Sequence, residues 1–223
     1  MAAISTEAAQ LRLLHLASPC LPVGAYAFSQ GLEAAIELEW ICKASDVEEW
    51  LSLQLGHGLG HVDLPLLLRI YAALERHYLT ACDEWNATLL ACRETNELRL
   101  GDTATGAALA RLLPELGVAL PNLREPTFLA LFTAAAHQWQ VPARNAALGY
   151  AWTWLENQVI AATKLMPLGR TQAQVLLSTL QAKIIEAVTS AEALEDWQIG
   201  SSLSGLALAS IHHETQYTRL FRS

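Results

Sequence analysis

The chain has 223 residues, 52% of them hydrophobic and only 16% charged, which supplies one large core and leaves little charge for a surface that meets only water. Its net charge is −8 and its only tight basic pair is Arg219 with Arg222, so the basic stripe that would neutralise phosphates is missing and nucleic acid is excluded as a partner. The cysteines Cys20, Cys42, Cys82 and Cys92 form no C-x-x-C and no zinc framework, and read as mostly buried thiols of a reduced, cytoplasmic chain.

From the N-terminus, Met1–Gln10 lacks the basic-then-apolar pattern of a secretory leader, and no apolar run reaches the roughly 20 residues that span a bilayer. Ala8, Leu11 and Leu14 then recur at helical spacing and predict the buried stripe of a first helix. Ser18-Pro19-Cys20-Leu21-Pro22-Val23-Gly24 cannot be helix, because two prolines and a glycine fall together, yet it is apolar and leads straight to Tyr26 and Phe28. Such a loop either plugs the core or presents a binding surface. Gly31 opens a helix through Leu32, Ala35 and Ile36, and Ser45 with Glu48 has the spacing of a capping box for a helix through Trp50, Leu51 and Leu55. The acids Glu33, Glu37, Glu39, Asp46, Glu48 and Glu49 read as a solvated face, with attraction of a cation or basic partner as the alternative.

His57 and His61, four apart with Asp63 nearby, have a spacing that metal sites use. Gly56, Gly58 and Gly60 interleave them, and each glycine costs a helix about 1 kcal/mol relative to alanine, so close packing or a helix end is the other reading. Pro126 suits the first turn of a helix carrying Phe128, Phe132, Ala135 and Trp139, and Pro142 that of one carrying Leu148, Trp152, Leu155 and Val159. Met166-Pro167-Leu168-Gly169 ends the latter, which places Lys164 at a helix C-terminus, where a cation complements the dipole or meets a partner. Leu176, Leu180, Ile184 and Val188 mark one more helix, and Thr189 with Glu192 predicts a short late one. With no sustained period-2 alternation, no linker and no repeat, the expectation is an all-α, single-domain helical bundle over 1–223.

The tail His212–Ser223 differs from an ordinary frayed end. Tyr217, Leu220 and Phe221 can fill pockets, while Arg219 and Arg222 can make forked contacts with carboxylates. The adjacent His212 and His213 would point about 100° apart on a helix and chelate poorly without a third ligand. No P-loop, nucleophile elbow, H-E-x-x-H or dinucleotide fingerprint is present, which removes the familiar chemistries and any call for a cofactor.

Three segments carry a family resemblance. Ser18–Glu33, Ala161–Gly169 and His213–Ser223 resemble, in order, the N-terminal, central and C-terminal signatures of the UreF-type urease accessory proteins. The resemblance implies an all-helical homodimer that is not an enzyme, binds the accessory protein UreD/UreH, and with it recruits the GTPase UreG to deliver nickel to apo-urease. By the same resemblance, Pro19, Leu21, Pro22, Tyr26 and Phe28 of the loop, with His213, Glu214, Gln216, Tyr217, Arg219, Leu220, Phe221 and Arg222 of the tail, contact UreD/UreH or order its surface, and Lys164 lies where the family influences the GTPase. The pattern departs at Arg170, where glutamine is common, and in Glu94–Gly106, with Asn96 where arginine is common. The rival expectations are a nickel metallochaperone using His57/His61 or His212/His213, and a helical enzyme with a dispersed site.

Overall fold

The computed structural model describes residues 6–222, and all the regular structure among them is helical. The α-helices are α1 (Thr6–Leu16), α2 (Leu32–Glu37), α3 (Ala44–Leu53), α4 (Leu64–Glu75), α5 (Leu79–Ala91), α6 (Asn96–Leu112), α7 (Phe128–Gln138), α8 (Ala143–Leu165), α9 (Arg170–Ala193) and α10 (Ser204–Thr215). A π-helical segment, Gln54–Asp63, joins α3 to α4. The leader reading of Met1–Gln10 falls in part, and Ser223 wholly, outside the described residues.

The core is built on α4 and α7. Leu64, Leu66, Leu67 and Ile70 of α4 are all sealed from solvent, and every residue of α7 from Phe128 to Ala136 is buried. A helix that is apolar on all sides has to be wrapped. Accordingly α4 packs against α5, α7, α8 and α9, with α6 against α7 and α8 against α9. The spacing reading holds for α7 and α9, where Phe132, Ala135, Leu180 and Val188 face inward.

It does not hold for α1. Leu11 and Leu14 are exposed, and the helix instead turns Ala9, Leu13 and Leu16 inward, because Leu13 packs on Gly149 of α8, which has no side chain to keep it away. The start of α3 is also shifted. Asp46 accepts the backbone N–H groups of Cys42 and Lys43, so the acid that closes this helix end is Asp46 rather than Glu48. Pro126 lies one residue before the N-cap Thr127, whose hydroxyl accepts the N–H of Ala130. Thr189 and Glu192 start no new helix; they sit inside α9, tied to Arg144 of α8. The late helix is α10. Of the thiols, Cys82 is buried and Cys92 half-buried, but Cys20 and Cys42 are exposed.

The glycine-rich stretch takes the packing alternative in an unexpected form. Gly60 lies against Ala187 of α9, and the residues around it wind with the wider π geometry. His57 and His61 consequently stack at 5.7 Å between ring centroids, while Asp63 turns into the core.

Candidate functional site

The three signature segments, far apart in sequence, meet on one face. The proline loop divides residue by residue between core and surface. Leu21, Val23 and Phe28 are buried and plug the core, whereas Pro19, Pro22 and Tyr26 are exposed. Its shape depends on left-handed backbone at Gly24 (φ 75°) and Gly31 (φ 80°), a conformation that favours glycine. Gly31 also lets α10 approach, since a Cβ there would stand 3.2 Å from Leu206.

Behind this loop, α2 presents Glu33, which is only 6% exposed. The acidic run therefore splits: Glu37, Glu39 and Glu49 are exposed, but Glu33 is withdrawn from water as an internal acceptor. Its carboxylate accepts the backbone N–H of Leu220 (2.7 Å) and of Phe221 (2.9 Å), and meets His213 Nε2 at 3.0 Å. The opposite nitrogen of that ring, Nδ1, lies 2.8 Å from Glu97 of α6, and Arg219 donates to the other oxygen of Glu97 at 3.0 Å. A buried carboxylate must be satisfied by donors or leave the charged state. Here those donors are the tail itself.

The tail is thus ordered by its own domain. His213 is sealed, Phe221 is buried, and the Arg222 N–H donates to Ala27 O of the loop. Tyr217 is fully exposed, Leu220 is 64% exposed, and Glu214 and the Arg222 side chain also face solvent. Lys164, at the end of α8, closes the patch: its Nζ lies 5.6 Å from the Tyr26 ring and 5.5 Å from the Phe221 ring. One ammonium thereby joins the loop, the central segment and the tail. An open groove of about 450 Å³ runs beside it between α2 and the tail, bordered by Ile36, Leu165, Gln216 and Tyr217.

The two histidine pairs fare differently. His212 is exposed while both nitrogens of His213 are engaged by carboxylates, so that pair does not converge. In the other, His61 is half-buried with its Nδ1 bonded to Gly56 O, and His57 is exposed. Among the described residues no three His, Cys, Asp or Glu side chains come together as a metal site would require.

Sequence reasoning missed Glu97 and a second buried cluster. Arg93, in the connection between α5 and α6, donates to Asp102 of α6 and, through both terminal nitrogens, to Asp63; Tyr150 of α8 donates to Asp63 Oδ1 at 3.0 Å. Burial by itself would lower the guanidinium pKa, but Asp102 and Asp63 outweigh it and hold it well above its ordinary value. For Asp102 the balance falls the other way, with burial raising the carboxyl against the pull of Arg93. Burial, reinforced by Asp63, also pushes the Tyr150 hydroxyl well up. The available signal was that Asp63 and Asp102 each lie in an otherwise apolar or small-residue stretch, where a charge has no solvent.

A family model described as UreF matches residues 41–181. Over nearly the whole chain there are similar proteins carrying the description urease accessory protein UreF. One from Marinomonas sp. (strain MWYL1) is 48% identical, covering 99% of this chain and 96% of its own. One from Teredinibacter turnerae is 45% identical, with 96% and 98% covered, and one from Alkalilimnicola ehrlichii is 48% identical, with 96% of each covered.

Proposed function

This chain belongs to the UreF family of urease accessory proteins and so takes part in urease maturation, and from that premise we propose that it acts there as a non-catalytic docking scaffold. In this reading it works as a homodimer that binds UreD/UreH, recruits and regulates the GTPase UreG with it, and so allows nickel to be inserted into apo-urease. The observation that supports the reading best is the convergence of loop, Lys164 and tail on one face, with Tyr217 fully exposed on a backbone tied down by Glu33.

The division of labour follows from burial. Pro19, Pro22, Tyr26, Glu214, Tyr217, Leu220 and Arg222 are the contact residues, with Gln216 half-buried at the groove. Leu21, Phe28, His213, Phe221 and the Arg219 guanidinium hold that surface in shape. Rigid aromatic and aliphatic groups on a pre-ordered backbone bind well because little entropy is lost on docking.

The test is co-purification with UreD/UreH and UreG from one organism, scored by complex size and nickel-dependent urease activation. A Tyr217→Ala/Leu220→Ala chain should keep its helical signal and lose the UreD/UreH complex. Full binding and activation by that chain would sink the assignment.

A further inference from the structure

Among the described residues, His213 alone has a carboxylate at each ring nitrogen: Glu97 of α6 lies 2.8 Å from Nδ1 and Glu33 of α2 lies 3.0 Å from Nε2. An ionised carboxylate can only accept a hydrogen bond, and a neutral imidazole carries a single N–H. One ring proton therefore cannot make both contacts. Turning the ring over gives no escape, because it sets carbon at both places. A neutral ring would instead aim a lone pair at one of the carboxylates. The ring is sealed from solvent, so no bulk water would relieve that contact.

The charged groups around the ring lead to the same count. Glu33 faces it from α2 and Glu97 from α6, while Arg219 of the tail reaches Glu97. The arginines closest to Glu97 in sequence are spent elsewhere, Arg93 on Asp63 and Asp102, and Arg99 on Glu125. Lys164 of α8 comes to the tail at the Phe221 ring. Two carboxylates thus meet one guanidinium, and an imidazolium at His213 makes the cluster neutral. Each bridge needs a proton of its own.

We propose that His213 is a proton-operated fastener: the tail is held on Glu33 and Glu97 while the ring carries both protons, and loss of one of them releases it. The fastened form binds more protons than the released one, so fastening is complete at lower pH and is lost as the pH rises through the titration of the ring. Histidine suits this task because its charge changes near neutral pH. Leu220 and Phe221 hang from the same Glu33, so release extends to the exposed groups of the tail. The fastening concerns this chain alone. Its consequence for UreD/UreH, a docking surface presented only with the proton bound, rests on the docking reading.

Two measurements on the full chain test it. Ring-nitrogen NMR reads the charge of His213 from about pH 5 to pH 8. Hydrogen exchange at the Leu220 and Phe221 amides, divided by the intrinsic rate at each pH, reads the tail. Protection at those amides should fall about tenfold or more as the ring gives up its second proton, the effect of one hydrogen bond to a charged group, while the amides of α7 stay protected. In Glu97→Gln the new amide can donate to the ring, so a neutral His213 completes both contacts and protection should no longer follow pH. If that chain fails to fold, the wild-type pairing of ring charge with exchange decides alone. A ring that keeps one charge state across the range, protection that does not follow the ring, or an unaltered pH response in Glu97→Gln overturns the proposal. Co-purification with UreD/UreH on either side of the ring's titration separates the two readings. No complex at either pH, with protection still following the ring, removes the docking reading and leaves the fastener standing.

Discussion

Glu33 and His213 are 180 positions apart in the chain and 3.0 Å apart in space. This contact, with the two backbone N–H groups that Glu33 also accepts, makes a single buried carboxylate the point at which the C-terminal tail is fastened. Hydrogen bonds to a charged group are worth about 1.5–3 kcal/mol each. In Glu33→Gln the volume is kept and the charge lost, so amide exchange at Leu220 and Phe221 should quicken by about tenfold to a hundredfold while the far-UV helical signal stays. Unchanged exchange at those two amides would falsify the fastening role.

Lys164 asks for a different magnitude. A cation–ring contact at an exposed site contributes about 0.5–1 kcal/mol, and Lys164 is itself exposed, over one exposed ring, Tyr26, and one buried ring, Phe221. Lys164→Met should therefore shift the urea midpoint only slightly. If the same chain loses most urease activation while its stability moves by less than about 1 kcal/mol, the ammonium acts at the interface. A large stability loss would instead make Lys164 a structural clasp.

The buried cluster predicts a much larger effect. Arg93 is the sole cation hydrogen-bonded to Asp63 and Asp102 among the described residues. Arg93→Met leaves two carboxylates without a counter-charge in the core, a change that costs about 3–5 kcal/mol in comparable buried pairs. Equilibrium urea unfolding checks this, and a loss below about 1 kcal/mol would mean that water reaches the cluster.

What could be read in the sequence follows a physical line. The helices of the core were legible because Phe128–Trp139 and Leu176–Val188 repeat at the period of their own geometry, whatever they pack against. The inward face of α1 was not, because Leu11 and Leu14 are as apolar as Leu13, and the choice was made by Gly149, more than a hundred residues away. The tail stood out by residue type, since a terminus rich in Tyr, Arg and Phe is unusual. That Glu33 and Glu97 would fasten them was not, because a glutamate destined for burial is spelled like one destined for water. The π geometry of Gln54–Asp63 was visible only as an excess of glycine.

Gly106 offers a test of packing free of electrostatics. A Cβ added there would overlap Pro126 O and stand 2.8 Å from the carbonyl carbon of Thr127, both backbone atoms at the start of α7 that no rotamer change can move. Alanine would favour α6 by about 1 kcal/mol on propensity alone. Overpacking of this kind typically costs about 1–3 kcal/mol, so Gly106→Ala should lower stability in spite of the better helix former. A raised melting temperature would show that α6 and α7 can part without cost.

The acid limb of the stability curve tests the capping carboxylates. Asp83 accepts the backbone N–H of Arg124 at 2.9 Å and its Nε at 2.6 Å, and the backbone bond, followed by the side-chain bond, holds its carboxyl below the ordinary value. Asp46 is lowered chiefly by the backbone N–H of Cys42. A carboxyl with a lower pKa folded than unfolded takes up protons more readily in the unfolded chain, so its stabilisation is complete above about pH 4–5 and is lost as the pH falls below that. Asp102, raised by burial, works in the opposite sense: it favours the folded state below about pH 4, and that advantage is lost as the pH rises through its folded value. Wild type should therefore lose urea resistance between about pH 6 and pH 3, and Asp83→Asn with Asp46→Asn should start lower at pH 6 and fall less. An equal fall in both chains would mean that the acid sensitivity does not come from these two caps.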